Sequence, residues 1–518
     1  MKESVHPLQA VRRTLTPHPE LPRVRALAAR ARLARGSLPG ARYLRSLPLA
    51  RPDQRPIEDP IRLLLRRLSM GFDQAEYERA RDMGYDAYLE EQLDPAGLPD
   101  PDMDARLASY QTLHLTPAEL QTNWSNQPQV AYDEVKKVVV QRALHSRRQL
   151  LERTCEFWND HFSVDHQRGG VQWVWMGEKE RLVTRPNALG SFPTLLAGTA
   201  FNASMLHYLD NWLNTASAPQ ENFARELLEL HTLGVRGGYT EVDVVEVARC
   251  FTGWTLLMND TSPDWLRGIF VPIQHSPGLK LVLGQVIGND PPRLDAQKVL
   301  DILAAHPSTA EFLARKLLRW FLTPHPPDEL VTRVAGTYLA TGGDIRAMLR
   351  VILARESLAH ATPKFLRPFH FVVSLLRGLG ADVQDALATV LLLSDMGQMP
   401  FGYPMPDGYP DTVEAWGAAL LPRWDFASLL LTPSLTGEPI PGVHLALESV
   451  QAKLDFTGPA ERHGLAGRID ARVLGQRLAP QELVGLQDFI DGYPGPFGGE
   501  ALLETIALAA SLPGAQWY

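Results

Sequence analysis

A mainly α fold, a large multi-helix globular body with at most a few short strands, is what this chain of 518 residues predicts. Three observations carry that expectation. Segment after segment repeats its apolar residues about every 3.6 positions, as in AEFLARKLLRWFL and HFVVSLLRGLG. Alternating strand-like patterns are nearly absent, with IFVPI and KLVLGQVI the exceptions, expected to form a small hairpin around His275. The composition, 45 % hydrophobic and 21 % charged, suits an ordinary soluble protein with a sizeable core.

In chain order, residues 1–55 read as a basic extension rich in Ala, Arg and Pro, expected to be poorly ordered. Residues 1 to 51 hold eleven Lys plus Arg against Glu3 and Glu20, a balance of +9 that leaves −17 for the rest of the −8 chain. Such a head can form a basic helix for a membrane surface or an acidic partner, or dock on the acidic body. Arg12-Arg13 opens like a twin-arginine signal, but no apolar region follows, so an export signal is not expected. The acidic body disfavours nucleic acid as a partner. No run of about eighteen or more apolar residues occurs, so no transmembrane segment is expected.

From residue 56 to 518 the pattern is one helical unit, with lobes expected at 56–260 and 285–518. LLLRRL, AEYERARDMG, YDAYLEEQL and the long AYDEVKKVVVQRALHSRRQLLERTCEFW come first. Pro-rich stretches at Pro400 to Pro410 and Pro439 to Pro441 read as loops. Cys155 and Cys250 fall inside helical segments; two cysteines make neither a disulfide framework nor a thiolate zinc site, and both read as core residues.

The segment Gln220 to Thr255 concentrates chemistry. Asn222, Glu226 and Glu229 at i, i+4 and i+7 share a stripe, beside an apolar stripe of Phe223, Leu227 and Leu230. Gly234 reads as a helix end, Gly237-Gly238 as a turn, and Thr240 with Asp243 as a capping box opening a second helix that ends near Gly253. Short connections keep consecutive helices adjacent, which would gather Glu226, Glu229, His231, Asp243 and Arg249. Arg225 and Glu229 are equally readable as a surface ion pair.

Several separated blocks resemble the bacterial family filed as domain of unknown function 1800. They are IRLLLRRLSMGFDQAEYERARDMGYDAYLEEQLDP from Ile61 to Pro95, LLERTCEFWNDHF from Leu150 to Phe162, and ALGSFPTLLAGTAFNASMLHYLDN from Ala188 to Asn211. HSPGLKLVLG, ARKLLRWF, KFLRPFHFVVSLLRGLG and GQMPFGYPMPDGYP follow in the family's order. The resemblance runs from about residue 57 to the C-terminus and implies a helical fold but little chemistry. Two departures remove potential metal ligands: Asn159 stands where the family usually has His, and Ser276 where it usually has Asp. The resemblance also implies a protein partner encoded nearby, from an exported family of unknown function, and with it an envelope association; without a signal the compartment defaults to the cytoplasm.

Two functional readings follow. In the first, the protein is an enzyme with Glu226, Glu229, Arg225 and Arg249 as catalytic groups, His161, Glu226 and His275 as ligands of a divalent metal, and Asn222, His231, Trp254 and Lys280 as substrate contacts. A carboxylate with a raised pKa would be the base and an arginine would hold an anionic group. In the second, the same charges form a buried network in a non-catalytic scaffold that binds a partner. Each candidate also has a plain structural role: His161, with Asp165 and His166 beyond it, as a helix-end core residue, His275 as a turn residue, Trp254 as a core anchor, Asp210-Asn211 as a cap, and Arg315 and Lys316 as surface-reaching side chains. The motifs of nucleotide loops, zinc-protease helices and serine-hydrolase elbows are absent.

Overall fold

Helices carry the architecture of the computed structural model, which describes residues 18–37, 57–259, 261, 262 and 264–518. The helices that frame the site are α1 (Leu21–Ser37), α2 (Pro60–Leu68), α3 (Pro128–His145), α4 (Gln149–His161), α5 (Phe192–Ala200), α6 (Asn222–Glu226), α7 (Glu241–Phe251), α8 (Asp295–Ala305), α9 (Pro307–Phe321), α10 (Asp328–Thr341), α11 (Pro368–Leu379), α12 (Leu420–Leu431) and α13 (Gly499–Ser511). The described strands are short and antiparallel: β1 (Trp254–Leu256) with β2 (Gly268–Phe270), β3 (Lys280–Val282) with β4 (Gln285–Ile287), and β5 (Asp382–Val383) with β6 (Val443–His444). KLVLGQVI is itself the hairpin β3–β4, turning through Leu283 and Gly284, whose φ of 47° and 77° give the doubly left-handed bend that two-residue hairpins favour.

Burial explains the helices. In α4 the residues Leu150, Leu151, Thr154, Phe157, Trp158 and His161 are buried and recur at helical spacing, so one stripe faces the core. Trp158 is 1 % exposed and donates its indole N–H to the Ala188 carbonyl at 3.0 Å; full burial of one such aromatic contributes about 1.5–3 kcal/mol. The expected capping box is present: Thr240 accepts from the Asp243 N–H, and Asp243 accepts from the Thr240 N–H. The preceding helix departs from expectation. After Glu226 it widens into a π-turn over Leu227–Thr232, which adds residues per turn and rotates Glu229 off the stripe of Asn222 and Glu226.

Two larger apolar clusters form the core, and α4 belongs to the first. One runs from Leu64 to Leu358, the other joins Leu366–Tyr518 with Val24, Leu27, Ala31, Met70 and Val140. Membership of the two clusters changes near residue 360. Part of the basic extension is also helical: Val24, Leu27 and Ala31 of α1 are buried against the C-terminal cluster, and Arg25 and Arg32 reach Asp395 and Asp425, each at 3.0 Å. Residues 1–17 and 38–56 lie outside the described residues. Among the described residues no helix is long and apolar enough to cross a membrane.

Candidate functional site

The residues singled out from sequence fall into three places. Arg225 is at the surface, paired with Glu241 at 2.7 Å and Glu221 at 3.5 Å, and Asn222 is exposed, its amide donating to the Leu209 carbonyl at 3.3 Å. Glu226 and Glu229 are half-buried; burial first, then Glu229 and Asp407, raise the Glu226 pKa. Trp254 is a half-buried core anchor against Phe201 at 4.2 Å and Phe270 at 5.6 Å.

His275, Lys280 and Arg249 belong to a closed structural cluster. His275 Nδ1–H donates to the Thr252 carbonyl at 2.8 Å, which leaves Nε2 as an acceptor for Lys280 at 3.1 Å. The same ammonium donates to Asp295 Oδ2 at 2.6 Å and to the Ser276 carbonyl at 2.7 Å. Lys280 and Asp295 side chains are 2 % and 1 % exposed. Arg249 bonds Glu246, Ser276 Oγ and the Pro277 carbonyl, fastening the loop from outside. Ser276 Oγ thus receives the guanidinium.

His161 and His231 sit together elsewhere. His161 Nε2–H donates to the His231 carbonyl at 3.1 Å, so its Nδ1 lone pair accepts from Lys316 at 2.9 Å. The imidazole rings are 6.1 Å apart. Burial first, then Lys316 and Lys179, push His231 down to about 3, so both rings are neutral. With both nitrogens engaged, neither His161 nor His275 offers a lone pair to the expected metal. Among the described residues no three His, Cys, Asp or Glu side chains are grouped so as to hold one. The metal set His161, Glu226 and His275 is therefore not assembled.

What the fold does assemble lies on the other face of α4. Glu152, Cys155, Glu156, Asn159 and Asp160, at i, i+3, i+4, i+7 and i+8, line one cavity of about 60 Å³. Glu152 is closed off by Arg185 at 2.6 Å. Glu156 is held more loosely: one oxygen meets His370 Nε2 at 2.7 Å, while the other has no hydrogen-bond partner among the described residues and lies 3.9 Å from Arg367 Nη1. Burial lifts Glu156 to about 7 against the pull of Arg367 and Arg153, and lifts Asp160 to about 6 although Arg367 donates to it. Burial, then Arg153 and Arg367, hold the His370 pKa well below its ordinary value. Its Nδ1 is also without a partner, so the neutral ring can carry its proton on either nitrogen.

The loop over residues 397–412, which follows the helix Leu387–Asp395, closes this site. Arg367 Nη2 donates to the Tyr409 carbonyl at 2.9 Å. Asp411 pairs with Lys364 at 2.6 Å and Arg367 at 3.5 Å; burial opposes the charge, but these two cations outweigh it and hold Asp411 at about 2. Gly408 lies so close to α4 that a Cβ would fall 2.2 Å from the Asp160 carbonyl oxygen. A family model described as "Protein of unknown function (DUF1800)" matches residues 63–513. The chain belongs to the DUF1800 family. No curated protein and no solved structure matches it.

In this DUF1800 chain the sequence reading passed over Glu156, Asp160, Lys364, Arg367, His370 and Asp411, although five of them lie inside blocks that carried the resemblance. The signals were present. Glu152, Glu156 and Asp160 repeat every four residues opposite the Phe157/Trp158 stripe, and Arg367 and His370 interrupt an otherwise apolar run, where burying charge is costly without a partner or a purpose.

Proposed function

We propose that this DUF1800 protein is an enzyme whose acid–base centre is Glu156 with His370, assisted by Asp160 held on Arg367. The observation that carries this reading is the division of labour in Glu156. One carboxyl oxygen is bound by a neutral histidine; the other, with no hydrogen-bond partner among the described residues, faces the Arg367 guanidinium at 3.9 Å, and the side chain lines the cavity. A carboxyl held to about 7 is half protonated at neutral pH, where a general acid–base is most effective. Proton transfer needs no metal: His370 can take or return the Glu156 proton through their contact. The one arginine on the wall, Arg185, is committed to Glu152 and Glu180, so the cavity favours a neutral or cationic polar group over an anion.

The test is turnover of a panel of small hydroxy, keto and amino compounds, followed by mass spectrometry, with wild type and Glu156→Gln. The expected outcome is conversion of at least one compound by wild type and a loss of about 10²-fold or more in the variant, with the melting transition retained. Conversion that Glu156→Gln leaves unchanged overturns the assignment.

The scaffold reading is supported by the His275, Lys280 and Asp295 cluster, which is buried and tied together through Asp295 Oδ2. In that reading the partner is the exported protein encoded nearby, and exposed Ile273, Leu279, Leu281 and Val286 around β3–β4 supply the contact. Co-purification with that partner, abolished by Leu281→Asp, tests it.

A further inference from the structure

A second cavity, of about 200 Å³, shares Val139, Glu180 and Arg185 with the wall of the Glu156 cavity but differs in its charge. One side comes from α3, where Val135, Val138, Val139 and Arg142 at i, i+3, i+4 and i+7 form a stripe. The other is Gly177, Glu180, Arg181 and Arg185, carried by the helix Met176–Lys179, the π-turn Glu180–Thr184 and the residue just beyond it. The two sides meet at Gly177, where a Cβ would lie 3.5 Å from Val135 Cγ2. Arg185 is paired with Glu152 and Glu180, at 2.6 and 3.6 Å. The half-buried Arg142 has no hydrogen-bond or ion-pair partner for its guanidinium among the described residues. Arg181 makes no ion pair among them either, and its buried Nε has no hydrogen-bond partner. Among the described residues Glu180 is the one carboxylate on the lining, and Arg185 already holds it. Guanidiniums set against apolar walls without a counter-charge are costly unless something pairs with them.

We infer that this cavity binds a small monocarboxylic acid with an aliphatic body, at a site that does not depend on the acid–base reading. Arg142 supplies the counter-charge, its planar fork of donors matching the two oxygens of a carboxylate. Arg181 adds to the positive field of the same lining. Leu107, Leu113, Val135 and Val138 take the hydrocarbon part; a few charged groups among apolar walls is the usual make-up of a small-molecule site. Inorganic phosphate would meet the same cations but leave those walls uncovered. The Glu156 cavity disfavours an anion because its arginine is committed, whereas here two arginines remain free of carboxylates, so the preference reverses. Gly177 keeps the space open. Its φ is not positive, and its added Cβ would stand at ordinary contact distance, so a larger side chain there enters the cavity without straining the backbone.

Calorimetric titration of the full-length protein with hexanoate, 1-hexanol and inorganic phosphate tests the site. Hexanoate is expected to bind about tenfold or more tightly than either of the others, the scale of a charge-assisted hydrogen bond. Arg142→Met is expected to weaken hexanoate by about tenfold or more and to leave 1-hexanol unchanged. Gly177→Leu keeps every charge and fills the space, so it should abolish hexanoate binding with the melting transition retained. Hexanoate bound no more tightly than 1-hexanol removes the role of the arginines; hexanoate bound no more tightly than phosphate removes the role of the aliphatic walls. Either result overturns the inference, as does a hexanoate affinity that survives Arg142→Met or Gly177→Leu.

Discussion

Lys316 Nζ lies 2.9 Å from His161 Nδ1 across 155 residues of chain, and this contact joins α9 to the end of α4. His161→Phe keeps the aromatic volume but leaves the ammonium without its acceptor. The expected loss is about 1–3 kcal/mol, read from the midpoint of urea unfolding, with Lys316→Met costing less because it removes the charge.

Lys280→Met tests the closed cluster in the same way. It leaves the Asp295 carboxylate, which is 1 % exposed, without its ammonium partner and with His275 Nε2 at 3.1 Å. Removing one partner of a buried pair costs about 3–5 kcal/mol, so the melting temperature should fall sharply. The double variant Lys280→Met/Asp295→Leu should recover part of the loss.

Buried neutral histidines set the acid limb of the stability curve. Burial brings His166 and His231 each to about 3 in the folded chain, below the ordinary value near 6.5. The unfolded chain therefore binds protons that the folded chain refuses. Stability from these two groups is complete above about 6.5 and is lost as pH falls toward 3. Glu156 and Asp160, raised to about 7 and 6, act oppositely: their contribution is complete below the unfolded carboxylate value near 4 and is lost as pH rises through 6 to 7. Replacing Glu156 by Gln should raise the melting temperature at pH 8 relative to pH 5, as followed by circular dichroism.

Helix type, the Thr240/Asp243 cap, the Gly234 helix end and the core placement of Cys155 and Cys250 were legible in the sequence, because spacing and cap chemistry act within a few residues. The π-turn at Leu227–Thr232 was not, since no local pattern marks one extra residue per turn, and it undid the expected stripe of Glu229. The partner of His161, Lys316, is brought to it by packing across 155 residues, which no local pattern reports. Pairing Glu156 with His370 spans 214 positions, beyond what periodicity in one chain can report.

Gly408 seats the loop over the site. Its φ is +76°, and an added Cβ would press on the Asp160 backbone at 2.2 Å. Gly408→Ala should cost about 1–3 kcal/mol from the backbone conformation alone and displace Tyr409 and Asp411 from Arg367. Chemical denaturation reads the cost; faster amide exchange across residues 403–411 reads the displacement.

The carboxyl of Glu156 offers the most direct measurement. Titrated by ¹³C NMR on glutamate-labelled protein and assigned with Glu156→Gln, its midpoint is expected at about 7. A midpoint near the ordinary 4.3 would mean that the group is a plain carboxylate at neutral pH, and the acid–base centre would be contradicted.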